Sequence, residues 1–480
     1  MVKKLIKIVC GVIGGVVLLV VIASVVIMLY VDKGLIESQM KKTLNRHVQI
    51  EKISVSIFSI ASGIEVKNVK ISNYKTEKEL ELLKGKPVQP NDVFVSMESL
   101  RLKARFMPLL KKKFELSELA LYGPVVNVAK GKDGTFNFDD LTRPKKLSQE
   151  EKAELEKKKA RAAREPEKPF TADDIPVAVT VGEVGIKNGT VNYNDNKLGQ
   201  KYQAYKLTLL AYNIQIDPKN LEKKNSIKLK IHMGVKTVGP VKSGSVKSFD
   251  ITFDADGNAR PFDLKTRKLD PEASLHVGSP QGEITGLQIF NIIAGNPVLN
   301  KYIGDQLSFL KEKLEWKGAK AAYVDLWHKG GLARLSNGTV KLKEFSLMFG
   351  GGYNTNNSGI DLDLELELGE KRNSAIRVGL RKQVESGLKR LGTKKYVNPE
   401  TIAGAAIKPL LNKRGMIYLK FKVNGTTGAP GAKLVHPQLG SLDDIIKQVA
   451  GDVLKETVKD AGKKVIEDGG KKLLKKLKIF

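Results

Sequence analysis

The sequence has a single cysteine, Cys10, which excludes an intramolecular disulfide framework and a cysteine-ligated zinc site. Its five histidines, His47, His232, His276, His328 and His436, lie far apart in the chain. None forms an H-x-x-x-H ligand pair, so no metal centre and no cofactor is expected. There is no G-x-S-x-G, no P-loop and no H-E-x-x-H, and a non-catalytic protein is therefore expected. Aromatic residues are only 6% of the chain while Gly numbers 44, a balance that leans to strands and turns. Acidic residues are in deficit: 52 Asp and Glu face 82 Lys and Arg, for a formal net charge of +30. The basic stretches are not interleaved with aromatics, as single-strand nucleic-acid binding requires, and no nucleic-acid partner is expected. What is present, 480 residues at 41% hydrophobic and 28% charged, is a globular composition. It suffices for about two to four domains and excludes a disordered chain or a multi-span membrane protein.

From Ile8 to Val31 no residue is charged. As a helix this run measures about 36 Å, longer than the ~30 Å hydrocarbon core of a bilayer. Lys3, Lys4 and Lys7 precede it, so the positive-inside rule leaves residues 1–33 as a cytoplasmic stub and transmembrane signal anchor. A cleaved signal peptide fits less well, because the run is long and lacks an A-x-A site. The net positive charge then reads as a solvated surface beside anionic membranes.

Gly34 to Thr43 reads as a short amphipathic helix, and then the period changes to two. Alternating apolar positions recur over most of the body. Val93, Val95 and Met97 form one series; Ile227, Leu229, Ile231 and Met233 another; Phe249, Ile251 and Phe253 a third. Ile360, Leu362, Leu364 and Leu366, and then Ile417, Leu419 and Phe421, complete the clearest runs. Such alternation means strands with one apolar and one solvated face, usually antiparallel, and their number is expected to be about 20–25, spaced ~4.8 Å apart. Asn188-Gly189, Asn337-Gly338 and Asn424-Gly425, each followed by Thr or Val-rich sequence, read as turns feeding strands. Gly350-Gly351-Gly352 reads as a bend between strands. Asp139-Asp140 has a cap or turn explanation.

The expected organisation is a β region at 34–142, a charged linker at 143–170, a middle β part at 171–284, a helical insertion at 285–316, a further β part at 317–440 and a basic amphipathic helical tail at 441–480. The tail suits an anionic membrane surface. A one-face-apolar sheet must cover that face. It can do so with a second sheet, as in a dry sandwich, or by curling into a groove filled by lipid chains. Composition does not choose between the two.

An ordered series of segments resembles the AsmA family of bacterial envelope proteins. It comprises the anchor, Ile36 to Ile50, Gly63 to Ile71, Leu100-Arg-Leu102, Pro108-Leu-Leu110, Leu119 to Val128 and the Asp133-Gly-Thr-Phe-Asn-Phe-Asp-Asp-Leu141 block. The resemblance covers roughly residues 1–141. It implies a mainly β protein, an elongated, curled, meandering β-groove of the β-taco kind with an N-terminal transmembrane helix. It also implies location in the bacterial inner membrane with the bulk in the periplasm, and transfer of phospholipid towards the outer membrane. The seventeen residues of the runs above are then the candidate groove lining, with phospholipids as ligands. Residues 8–31 would hold the inner membrane, and an outer-membrane or periplasmic protein would be a further partner. The rival expectation is a non-catalytic envelope assembly or scaffolding factor.

Overall fold

A computed structural model describes residues 33–56, 62–105, 108, 113–142, 169–239, 248–303, 306–391, 397–440 and 442–460. The expected membrane anchor, nearly all of the charged linker and the end of the basic tail lie outside the described residues. Among those described, sixteen strands form one sheet, and the chain divides into two compact units. Unit 1 is 1–279 with 325–332, and unit 2 is 280–324 with 333–480.

Unit 1 begins with helix α1, Lys33–Leu44, which ends where Asn45 turns left-handed at φ 49°. Then come β1 Arg46–Ser56, β2 Ser62–Tyr74, helix α2 Glu77–Leu82, β3 Val93–Arg105, β4 Lys113–Tyr122, β5 Val125–Lys130 and the short helix α3 Asp139–Thr142. β6 Ala178–Asp195, β7 Gln200–Ile216, β8 Asn225–Val238 and β9 Ser248–Phe262 follow. β10 Leu269–Thr285 and β11 Lys313–Lys329 contribute to both units. Ile36 and Leu44 of α1 bury their side chains against Val48, Ile50, Val66, Val69, Val95 and Leu121 of the sheet. The Ile50 N–H donates to Glu37 Oε1 at 2.7 Å and fixes the helix on β1.

Unit 2 holds helices α4 Gln288–Ala294 and α5 Pro297–Ile303, strands β12 Leu332–Lys341, β13 Phe345–Asn354 and β14 Gly359–Leu368, helices α6 Glu370–Leu391 and α7 Pro399–Ile407, strands β15 Tyr418–Thr426 and β16 Ala429–His436, and helix α8 Leu442–Asp460. Its core joins the apolar faces of β13, β14 and β15 to α4–α7, through residues such as Phe345, Leu366, Phe421, Leu299, Tyr302 and Leu380. A second cluster joins α6, α7 and α8 through Val384, Leu388, Ile402, Ile446 and Ala450.

Several local expectations are corrected. The meander is not wholly antiparallel: β6 runs parallel to both β4 and β5. Parallel neighbours need a long crossover, and the connection between Lys130 and Ala178, which contains the charged linker, is that crossover. Among the described residues strands number sixteen, against the expected 20–25, and they are long; β6 alone covers residues that alternate in several short runs. Asn188-Gly189 is not a turn but a bulge inside β6. The register passes from Ile186↔Leu209 to Gly189↔Leu207, and Asn188 takes φ 54° as the extra residue. Asn337, also at φ 54°, lies inside β12 and not in a turn. Gly350 to Gly352 lie within β13 instead of in a bend; a Cβ on Gly351 would stand 2.2 Å from the Asp361 carbonyl oxygen of β14. Helix α6 was not foreseen within the 317–440 β part. Its signal is the spacing of Ile376, Leu380, Val384 and Leu388, all buried, on an otherwise charged sequence. Trp316, expected in the helical insertion, stands in β11.

Candidate functional site

The candidate site is the apolar face of β7–β10 in unit 1. In an antiparallel ladder, paired residues share a face. Leu209 pairs with Ile231 and Ala211 with Leu229 across β7 and β8. Ile231 pairs in turn with Ala255, Met233 with Phe253 and Val235 with Ile251 across β8 and β9. Leu229 faces Gly257 and Ile227 faces Ala259. The result is an apolar surface built one row per pair of residues. On the other face Lys230 stands opposite Asp256, His232 opposite Asp254 and Lys236 opposite Asp250. His232 Nδ1 lies 2.6 Å from Asp254 Oδ1. Arg260 reaches Glu272 of β10 at 2.8 Å on that solvated side. Leu275 and Val277, of opposite parity, therefore extend the apolar face to β10.

This face is only partly covered. Ile227, Leu229, Ile231, Met233, Phe249, Ile251 and Phe253 are all half-buried. Of these, only Met233 packs on a closed cluster among the described residues. At the Asp195–Gln200 end the face carries an aromatic row. Tyr193 stacks on Tyr202 at 6.0 Å, and Tyr202 on Phe249 at 6.1 Å. The row keeps its hydroxyls bonded: Tyr193 donates to Asp195 Oδ2 at 3.1 Å and Tyr202 to Gln200 Oε1 at 2.5 Å. Burial, and then the Asp195 carboxylate, raise both phenol pKa values. The two phenols of the row therefore stay neutral, and its rings pack on one another.

The other candidates are placed elsewhere. Val95 is buried in the α1-covered core, Met97 packs against that core, and Val93 is half-buried beside them at the start of β3. Leu364, Leu366, Ile417, Leu419 and Phe421 are interior residues of the unit 2 core, with Ile360 and Leu362 packed on its margin. Leu366 and Phe421 are 0% exposed under their helices. The structure thus brings together the β8 and β9 series and separates them from the β3, β14 and β15 series. It adds Leu209, Ala211, Ala255, Leu275 and Val277 to the face. Alternation marked these residues as strand positions, but only the register shows that they share the face.

Sequence reading also passed over Arg46. Its guanidinium is fully buried, stacks 4.5 Å over Phe94, and bonds Asp140 Oδ1 at 2.6 Å and the Asn137 carbonyl at 2.9 Å. Asp140 is therefore an ion-pair partner as well as an element-end residue. Its neighbour Asp139 does make a turn bond, accepting from the Phe136 N–H at 3.0 Å. Among the described residues no group of His, Cys, Asp and Glu could hold a metal ion, and no helix is long and apolar enough to cross a membrane.

A sheet this long, apolar on one side and closed by helices only over parts of its length, defines a class of mainly β proteins built on one large meandering sheet. The model of the AsmA family matches residues 2–270, more than half of the sequence, and the chain belongs to that family. The family is associated with the bacterial cell envelope, and its membership together with the large sheet fits a lipid-transfer or envelope-assembly role. No curated protein and no solved structure matches the chain.

Proposed function

We propose that the protein is a non-catalytic lipid-transfer protein, held in the bacterial inner membrane by residues 8–31, that carries phospholipid acyl chains on the β7–β10 face through the periplasm towards the outer membrane. The observation that supports this reading is the half-buried, helix-free apolar row of Leu229, Ile231, Ile251 and Phe253, which lies outside every closed cluster of the described residues. An apolar surface left in this state is stabilised by any chain that covers it. Each methylene removed from water contributes about 0.8 kcal/mol, so even half of a ~16-carbon chain gains several kcal/mol. The solvated face, with its Lys–Asp and His–Asp pairs, offers nothing comparable to an acyl chain. The unit 2 series and Val95 serve as closed core on this reading.

The test is site-specific photo-crosslinking in cells with the full-length chain. A photoreactive phenylalanine analogue replaces Leu229, Ile231 or Phe253 in turn, with Leu366 and Phe421 as closed-core controls. Phospholipid adducts at the first three positions and none at the controls are expected. Protein adducts alone at Leu229, Ile231 and Phe253 would refute lipid carriage and favour the scaffolding alternative. That second reading draws on the helix-covered cores, which close most of the apolar strands without any lipid.

A further inference from the structure

Unit 2 contains an open groove of about 880 Å³ between α5, α6 and the start of α8. The volume falls in the range of small-molecule sites. Its apolar lining is Tyr302 of α5 and Ile446 of α8, both buried, with Leu439, Leu442 and the exposed Val298 beside them. Tyr302 and Ile446 belong to the two separate closed clusters of the unit, and Leu442 packs on both, so the groove lies where these cores part. Gly387 admits the α8 side chain here, since a Cβ on it would stand 2.9 Å from Ile446 Cδ1. The Tyr302 hydroxyl is already committed, donating to the Ala406 carbonyl, so its ring rather than its oxygen serves the lining.

The rim is polar and carries excess positive charge. Lys382, Gln383, Ser386 and Arg390 occupy one stripe of α6 along the groove. Arg390 pairs with Asp443 at 2.8 Å, whereas Lys382 has no acidic partner among the described residues. The helix behind them bears seven Lys and Arg against two Glu. That sign selects an anion and disfavours the chain's own terminus, whose Lys471 to Lys478 segment is basic.

We infer that this groove binds a phosphate-bearing amphiphile, its chain on the apolar lining and its phosphate at Lys382 and Arg390. The ligand uses both chemistries at once: the lining alone would take any apolar group, and the rim alone would hold an anion only weakly in water. The site lies apart from the β7–β10 face and does not rest on the reading of that face.

The test uses the full-length chain in phosphatidylcholine nanodiscs, titrated calorimetrically with dihexanoyl phosphatidic acid, dihexanoyl phosphatidylcholine or inorganic phosphate. One saturable site per chain for the phosphatidic acid is expected, with both other probes weaker by at least about tenfold. Lys382→Glu should weaken binding by a similar factor, and Ser386→Trp, which fills the groove from an exposed position, should abolish it. Lys371→Glu, an exposed charge reversal on the same helix but outside the groove, should leave the titration unchanged. The inference is overturned by the absence of a saturable site, by equal binding of the phosphatidylcholine or of phosphate alone, by indifference to Lys382→Glu or Ser386→Trp in folded protein, or by loss of binding in Lys371→Glu.

Discussion

Replacing Arg46 by Met tests how the first β region is held together. The guanidinium is 0% exposed, and burial lowers its pKa against the raising effect of Asp140. It donates to the carbonyls of Ser72 at 3.2 Å and Asn137 at 2.9 Å, and to Asp140 at 2.6 Å. It thereby ties the start of β1 and the end of β2 to the 131–142 segment that leads into the crossover. Its Nε–H has no partner, so the site is already imperfectly satisfied. Met keeps an apolar stem but stops two atoms short of the guanidinium nitrogens, and it leaves the Asp140 carboxylate and two carbonyls without their donor. Breaking a buried pair costs about 3–5 kcal/mol. Asp140 keeps 25% of its side chain in water and can rehydrate in part, which lowers the expectation to about 2–4 kcal/mol. The loss is local to 131–142, where Asn137 retains its bonds to Asn73, Asn127 and Ala129. Hydrogen exchange followed by mass spectrometry is the assay. Amides of 131–141 should lose protection by roughly thirty-fold to several hundred-fold, while β7–β9 amides hold theirs. A second variant, Arg46→Met with Asp140→Leu, should recover part of the loss because no charge is then left unpaired. Unchanged protection in Arg46→Met, or no recovery in the double variant, would refute the clamp.

Three further outcomes follow from the geometry. Phe421→Ala, in the closed core of unit 2, should destabilise that unit by about 3–5 kcal/mol in urea, whereas Phe253→Ala on the half-covered face should cost about half as much or less; equal losses would mean that the β9 face is as dry as the core. A Cβ on Gly234 would meet the Tyr205 ring at 2.1 Å, so Gly234→Ala should displace the ring from Asp250 (2.6 Å) and Lys236 (5.0 Å) at a cost of about 1–2 kcal/mol, and adding Tyr205→Ala should make the pair of changes less costly than their sum. Asp263 is held down to about 2 by the backbone and hydroxyl donors of Thr266, with the Lys265 N–H and Lys329 adding to the effect. A depressed carboxyl stabilises the folded state above its unfolded pKa and loses that contribution as pH falls through the folded one. The β9–β10 turn should therefore hold its amide shifts from neutral pH down to about 4 and lose them towards about 2; NMR titration showing a midpoint near the ordinary Asp value would contradict the bonding.

Much of the sheet was legible in residue order. Period-two alternation at Ile227–Met233, Phe249–Phe253 and Ile417–Phe421 placed β8, β9 and β15, and the apolar spacing of Ile36, Met40 and Leu44 placed α1. These signals are local: the pleat and the helical turn act over two to four residues. Asn-Gly misled because the same left-handed Asn suits a bulge as well as a hairpin, and the choice depends on which strand lies alongside. Helix α6 was hidden because its apolar stripe is one residue wide on a basic background.

The sequence by itself determined that this is a β-sheet protein of one apolar and one charged face, with AsmA-type segments in order. An alternating strand records that one face shuns water. It does not record what covers that face. Only the tertiary structure decided that Leu366, Leu419 and Phe421 lie under α4–α7 while Leu229, Ile231 and Phe253 do not. It alone paired Arg46 with Asp140 across ninety-four positions and set β6 parallel to β4. Helices, ion-pair partners and parallel neighbours come from distant parts of the chain, and packing brings them together where no local period reports it.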